Sequence, residues 1–99
     1  MKNLNVNSKD LNMLLDIIIS YCPDSEIWAY GSRVGGDSHS GSDLDLAIKR
    51  ASQEFDLSVF KELLSESNIP FIVDVHEFEN LPVSFQNEIL KNYIVIYNK

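Results

Sequence analysis

The sequence predicts an α/β (α+β) domain in which helices pack on a mixed β-sheet, with the element order α-β-β-α-β-α-β. Two observations lead to this prediction. Segments with apolar residues at helical spacing alternate with short apolar segments of strand length, and turn-forming residues separate them. The chain has 99 residues, which suffice for one modest core, so we expect a single domain over residues 1–99.

The first helix is predicted from an apolar stripe that ends shortly before a proline. The stripe follows the spacing i, i+3, i+4, i+7 and i+8 and consists of Leu11, Leu14, Leu15, Ile18 and Ile19. Asn7 or Ser8 can cap this helix, and Pro23 marks its end. Residues 27–30 then predict a short apolar strand that leads into a turn at Gly31.

The later elements continue the alternation. Residues 44–48 predict a second strand, and a second helix follows with Asp56 as its cap. The apolar stripe of that helix consists of Leu57, Phe60, Leu63 and Leu64. Residues 71–75 predict a buried strand, residues 83–91 a third helix and residues 93–97 a closing strand.

The charge balance argues against a broad nucleic-acid interface. The formal net charge is -7 at pH 7, and the 8 Lys and Arg residues are scattered along the sequence. Proteins that hold phosphate backbones need clustered basic residues, so we expect no direct nucleic-acid binding. An acidic balance suits a cation site or a basic protein partner, and charge alone does not separate the two.

Cysteine content and hydropathy bear on the compartment. Cys22 is the only cysteine, which excludes an internal disulfide and fits a packing role in a reducing cytoplasm. No apolar run approaches the roughly 20 residues that span a membrane, and the first residues lack a signal-peptide pattern. We therefore expect a cytoplasmic protein that does not bind membranes.

Two carboxylates on one strand are the strongest chemical signal. Successive strand side chains point to opposite faces, so Asp43 and Asp45 project together while Leu44 points into the core. Two residues of strand separate the acids by roughly 6.6 Å. At that distance the charges repel by roughly 2.5 kcal/mol at an effective dielectric near 20, and by about 0.6 kcal/mol in water. Exposure to water or a cation between the acids would relieve this repulsion, and the neighbouring turn favours the cation.

That turn has the residues of a phosphate site. Gly31 lets a phosphate approach the backbone, Ser32 supplies a hydroxyl donor, and Arg33 can form two parallel hydrogen bonds to phosphate. Ser42 precedes the first acid and can orient it by hydrogen bonding. The alternative is an ordinary Gly-Ser turn beside a solvated arginine. We favour this alternative less, because the acidic pair follows the turn in the sequence.

Taken together, these residues read Gly-Ser-Arg-x-x-Gly-x5-Ser-Asp-x-Asp-Leu from Gly31 to Leu46. The pattern resembles the DNA polymerase β-like nucleotidyltransferases, and within them the minimal nucleotidyltransferases (MNT). The resemblance covers residues 27 to about 76 and implies a third carboxylate on a later strand, which Asp74 supplies. His76 shares the face of Asp74, and we expect it to be a satisfied polar residue.

The resemblance implies a polymerase β-like core and a two-metal reaction. Asp43 and Asp45 would hold the nucleotide-bound Mg²⁺ and bridge to a second Mg²⁺, while Asp74 would complete the second site and help deprotonate the acceptor hydroxyl. ATP would be the substrate. Many relatives carry a basic residue where this chain has Gly35, so the loop loses a charge directed at phosphate.

The resemblance also implies a partner. Minimal nucleotidyltransferases resemble the antitoxin half of systems whose other half is a HEPN-domain ribonuclease, which suggests transfer of AMP to a tyrosine hydroxyl of that toxin within a hetero-oligomer. A non-enzymatic antitoxin that blocks the toxin by binding is the alternative. Nucleotidylyl transfer to a small molecule such as an antibiotic is less favoured, because no acceptor-binding domain is recognisable in the sequence.

Overall fold

The computed structural model describes residues 4–34, 43–49 and 54–99. Their elements follow the predicted order, with one short 3-10 helix in addition over Phe78–Asn80. The helices and strands are α1 (Ser8–Tyr21), β1 (Glu26–Tyr30), β2 (Leu44–Lys49), α2 (Leu57–Ser65), β3 (Val73–Glu77), α3 (Val83–Lys91) and β4 (Tyr93–Tyr97). The predicted α+β class is therefore confirmed. None of the helices in these ranges is long and apolar enough to cross a membrane.

The four strands form one mixed sheet in the order β3-β2-β1-β4. β1 pairs antiparallel with both β2 and β4, whereas β2 pairs parallel with β3. Parallel neighbours need a crossover connection, and α2 lies on the connection between β2 and β3. The two strands that carry the predicted carboxylates are thus adjacent.

The first helix begins and ends where the sequence indicated. The side chain of Asn7 accepts a hydrogen bond from the backbone N–H of Asp10 at 2.8 Å, and the helix ends at Tyr21. Ile18 is fully buried, but Ile19 is 54% exposed. Consecutive helical residues lie about 100° apart, so Ile19 falls at the margin of the predicted stripe, outside the contact with the sheet.

The third strand begins two residues later than predicted. The apolar residues 71–75 predicted its bounds, but Ile72 is 67% exposed and the strand spans Val73–Glu77. Its start coincides with the start of β2, because Val73 is the register partner of Leu44. The bounds of β3 therefore follow from its pairing with β2 and not from the extent of the apolar residues.

The sheet separates two apolar clusters. One face packs against α1 and α2 and holds the larger core, whose fully buried members include Leu14, Ile18, Ile27, Leu46, Phe60 and Val75. The other face is covered in part by α3 and by the 3-10 helix, and its cluster is Trp28, Tyr30, Ala47, Phe78 and Ile89. Side chains alternate along β2, so the second face also receives Asp45.

The cap of α2 gives a first test of this fold. Asp56 Oδ1 accepts hydrogen bonds from the backbone N–H groups of Ser58 at 2.9 Å and Val59 at 3.4 Å. We expect Asp56→Ala to lower the free energy of unfolding by about 1 kcal/mol, because these donors lose their acceptor. Asp56→Ser should restore most of that loss in urea unfolding. Equal stability of the alanine variant and the wild type would contradict the cap.

Candidate active site

The pairing of β2 with β3 places two of the predicted carboxylates side by side. Asp45 and Asp74 are register partners on these adjacent parallel strands. Neighbouring strands lie about 4.8 Å apart, and partners in register project from the same face. Both side chains are partly exposed on the face that α3 covers only in part. The geometry thus concentrates negative charge at one place on the sheet.

The electrostatics of the site reflect this crowding. Burial raises the pKa of Asp45, and the charges of Asp74 and Asp43 raise it further, whereas His76 opposes the shift. Burial together with Asp45 and Asp74 also raises the pKa of Tyr30 to about 12. Both shifts disfavour further negative charge, so the site favours a positively charged occupant.

Both the backbone conformation at position 31 and the nearby Asp45 side chain favour glycine at this position. Its φ is +84°, a conformation that residues with a Cβ rarely adopt. A Cβ at this position would lie 3.2 Å from Cγ of Asp45 and closer still to Oδ2. The turn is closed by a 3.0 Å hydrogen bond from the N–H of Val34 to the carbonyl of Gly31. The backbone of this turn therefore lies directly against the Asp45 carboxylate.

A cavity of about 580 Å³ lies over these residues. The sheet and the turn contribute Tyr30, Gly31, Asp45, Asp74 and His76 to its lining. Helix α3 and the residue after it contribute Phe85, Glu88, Ile89 and Asn92. The spacing i, i+3, i+4 and i+7 places these four residues on one side of the helix. Hydrophobic periodicity alone did not predict this contribution of α3 to the cavity, because it depends on where the helix packs.

His76 contacts the carboxylate of Asp74, with which it shares a face of β3. Its Nε2 is 3.3 Å from Oδ2 of Asp74, and it lines the same cavity. Tyr30, the last residue of the predicted apolar strand 27–30, is buried and also lines the cavity. The alternation of strand side chains predicted that Asp74 and His76 share a face. It did not predict the contact between their side chains.

Arg33 is placed differently from the prediction. Its side chain does not line the cavity of Asp45; the residue is only 5% exposed and lines a separate cavity with Asn5 and Phe71. Its Nη1 donates to the carbonyl of Asn5 at 2.8 Å, and the guanidinium lies 4.1 Å from the centroid of the Phe71 ring. These contacts tie the segment before α1 to the turn after β1. We therefore assign Arg33 a structural role and leave it out of the proposed phosphate site.

The other predicted residues stand as follows. Asp43 is exposed immediately before β2, and Ser32 is exposed within the turn; neither lines the cavity. Ser42 and Gly35 lie outside the described residues, so their predicted roles stay predictions. Within residues 4–34, 43–49 and 54–99, no three His, Cys, Asp or Glu side chains are grouped to hold a metal ion by themselves.

Comparisons with known proteins identify the family to which this chain belongs. Residues 14–99 match the family model described as Polymerase beta, Nucleotidyltransferase. The chain belongs to this family. Family membership confirms the predicted nucleotidyltransferase class and, with the sheet described above, the predicted core.

Two individual proteins are also similar to this nucleotidyltransferase. It is 36% identical over 99 residues to a probable protein adenylyltransferase MntA of Haemophilus influenzae, covering 97% of this chain and 86% of that relative. A crystal structure of a toxin-antitoxin with AMP-PNP superposes with a TM-score of 0.73 at 20% identity. That match covers 90% of this chain and 73% of the other chain, and it shows the fold alone.

Substitution of Gly31 tests the close approach of the turn to Asp45. We expect Gly31→Ala to cost about 1–2 kcal/mol for the positive φ, and more for the contact of the new Cβ with Asp45. In an Asp45→Ala background the same substitution should cost less, because the contacting carboxylate is gone. Urea unfolding of the four proteins measures the difference. An equal cost in both backgrounds would contradict a clash with Asp45.

Substitution of Asp45 tests the charge crowding. We expect Asp45→Asn to raise the free energy of unfolding of the metal-free protein at neutral pH, because it removes a charge that burial and Asp74 disfavour. The folded-state pKa of Asp45 is raised above 3.8, so wild type gains stability as pH falls through that pKa. The advantage of the variant should therefore shrink toward acid.

Urea unfolding in EDTA at neutral pH and near pH 4 measures both effects. Asp43→Asn is the matched control, since Asp43 is exposed and the same substitution there should stabilise less. A destabilised Asp45→Asn at neutral pH would show that the carboxylate makes net favourable contacts in the fold.

Proposed function

We propose that this nucleotidyltransferase transfers AMP from ATP to a tyrosine hydroxyl of a HEPN-domain ribonuclease toxin in the cytoplasm and thereby acts as its antitoxin. The observation that carries the proposal is the register pairing of Asp45 with Asp74 beside the backbone of Gly31. The name of the H. influenzae relative supports adenylyl transfer to a protein. The description of the similar crystal structure supports a toxin as the partner.

The residues present fit divalent cations. Mg²⁺ prefers hard oxygen ligands and usually binds through one or two carboxylates together with substrate phosphates. Asp45 and Asp74 offer such oxygens on adjacent strands, and a cation beside them would offset the burial and the neighbouring carboxylates that raise the pKa of Asp45. We assign one Mg²⁺ to Asp43 and Asp45 and a second to the side of Asp74. When bound, the ions would polarise the α-phosphate and stabilise the leaving pyrophosphate.

The turn after β1 would position the triphosphate. Gly31 lines the cavity beside Asp45, and the exposed Ser32 hydroxyl can donate a hydrogen bond to a phosphate bound next to this turn. The turn is held from the other side, where Arg33 binds the segment before α1 and the Asn92 side chain donates to the carbonyl of Val34 at 3.4 Å. The proposed phosphate site therefore rests on a braced loop.

The reaction forms one bond and breaks one. The acceptor oxygen attacks the α-phosphorus of ATP, the bond from that phosphorus to the bridging oxygen of the β-phosphate breaks, and pyrophosphate leaves. The proton of the acceptor hydroxyl passes to the carboxylate of Asp74. His76 lies 3.3 Å from this carboxylate and holds its Oδ2 in a fixed direction. In this proposal Asp74 accepts the proton, and its contact with His76 orients the carboxylate.

Intact-mass spectrometry of the toxin tests the proposal. After incubation with wild-type protein, ATP and Mg²⁺, we expect the toxin mass to rise by one AMP moiety or a multiple of it. Asp45→Asn and Asp74→Asn should each lower the rate by at least about 100-fold, because metal and proton binding are lost. Glu62→Gln is the matched control, since Glu62 is an exposed acid on α2 and should leave the rate unchanged.

The same samples separate the two antitoxin classes. Ribonuclease activity that disappears only when the mass rises supports inactivation by AMP transfer. An unmodified toxin that binds the wild type and the Asp variants equally, and loses activity with each, would make the protein a binding antitoxin. Chelation with EDTA should abolish the mass change but leave binding intact.

A further inference from the structure

One wall of the cavity is chemically different from the other. The carboxylates, His76 and the turn form the sheet side, whereas α3 presents one face that we call the α3 wall. The α3 wall consists of Phe85, Glu88, Ile89 and Asn92. The reaction proposed above gives none of these four residues a contact with the substrate, although together they line one side of the cavity.

Phe85 is the aromatic residue of the α3 wall and is held in place while remaining accessible. Its ring meets the ring of Tyr30 edge to face, with centroids 6.0 Å apart and an interplanar angle of 87°. Tyr30 itself is buried against the sheet, so it provides a fixed support. Phe85 is nevertheless 44% exposed and lines the cavity. A half-exposed ring with a fixed orientation is a surface on which a planar ligand can stack.

Other aromatic residues on this face of the sheet are already occupied. Trp28 stacks on Tyr93 with centroids 4.4 Å apart and meets Phe78 edge to face at 5.1 Å. Lys49 also lies over the Trp28 ring, with its Nζ 4.8 Å from the centroid. These contacts use the ring surfaces within the protein. Phe85 therefore differs from these three aromatic residues in lining the cavity, and from the buried Tyr30 in being 44% exposed there.

Charge determines which part of a nucleotide suits the α3 wall. The described residues that line the cavity include no lysine or arginine, and the wall carries the carboxylate of Glu88. Among the described residues that line the cavity, those that would compensate a triphosphate are therefore the carboxylates, through the proposed cations that they hold. The nucleoside is the uncharged part of ATP and is the part that an aromatic and aliphatic wall can accept.

The volume of the cavity agrees with a division into a side for phosphate and metal and a side for the nucleoside. The cavity measures about 580 Å³, which lies within the range of about 300–1,000 Å³ typical of small-molecule sites. A site for phosphate and metal alone would occupy only its sheet side. The remaining space adjoins Phe85, whose half-exposed ring offers apolar contact area to a ring system.

We propose that the α3 wall is the nucleoside subsite, in which the base of the substrate stacks on Phe85. The assignment rests on the proposed use of ATP and adds the residue that holds its base. Aromatic stacking tolerates any base because every base has a π-face, so Phe85 contributes affinity for the nucleoside and little selection among bases.

Calorimetric titration with two probes tests the subsite. AMP-PNP with Mg²⁺ carries both the phosphates and the base, whereas inorganic tripolyphosphate with Mg²⁺ carries only phosphates. We expect Phe85→Leu to weaken AMP-PNP binding about 10-fold, since stacking is lost, and to leave tripolyphosphate binding unchanged. Phe85→Tyr should bind AMP-PNP like the wild type, because the ring is kept.

A matched variant on the same helix controls for general effects. Leu90 is 47% exposed on α3 and does not line the cavity, so Leu90→Ala should leave the binding of both probes unchanged. Melting temperatures of all variants show whether α3 remains packed. Weakening of both probes by Phe85→Leu, or equal weakening of AMP-PNP by Leu90→Ala, would overturn the assignment.

The outcomes also separate this inference from the proposed function. If the wild type binds both probes and Phe85→Leu binds them equally well, the nucleoside lies elsewhere and the proposed function stands. If Phe85→Leu raises only the KM for the protein acceptor, the α3 wall binds the acceptor and the inference is wrong. If the wild type binds neither probe, the proposed function fails and the subsite with it.

Discussion

The parallel pairing of β2 with β3 is the constraint on which the rest of the structure depends. Alternate residues of β2, namely Leu44, Leu46 and Ile48, are fully buried against α1 and α2, so Asp45 has to project from the opposite face. The register of β3 then brings Asp74 beside it. The repulsion between the carboxylates cannot relax by a shift of either strand, because a one-residue slip would expose the core. Core packing therefore maintains the electrostatic condition that makes the site attractive to cations.

The two faces of the sheet are covered to different degrees, and the cavity follows from that difference. One face is sealed by two helices, while the other is covered by α3 and the 3-10 helix only over its aromatic cluster. Next to Tyr30 the cover gives way to the cavity that Asp45 and Asp74 line. Apolar packing thus borders directly on the carboxylates, and this proximity explains why burial is the largest cause of the raised pKa values of Asp45 and Tyr30.

The local parts of this fold followed from the sequence, and the long-range parts did not. Periodicity and caps located the helices, including the caps at Asn7 and Asp56, because these depend on residues a few positions apart. Spacing also selected Gly31, Asp45 and Asp74, which the structure brings together. The placement of Arg33 was missed because its contacts with Asn5 and Phe71 join distant segments. The α3 wall was missed for the same reason, since an amphipathic pattern does not say which cavity its helix will border.

The crowded carboxylate has a consequence for how such a chain can change over generations. Where a charge opposes folding, replacing it by a neutral residue carries no folding penalty, so purifying selection for a folded protein does not maintain it. The raised pKa of Asp45 therefore indicates that the chemistry of the site, and not folding, favours keeping this acid. A lineage that no longer needs the reaction could lose Asp45 by drift and still keep the surface that binds a partner. Catalytic and purely binding descendants of this fold would then be separated by few substitutions.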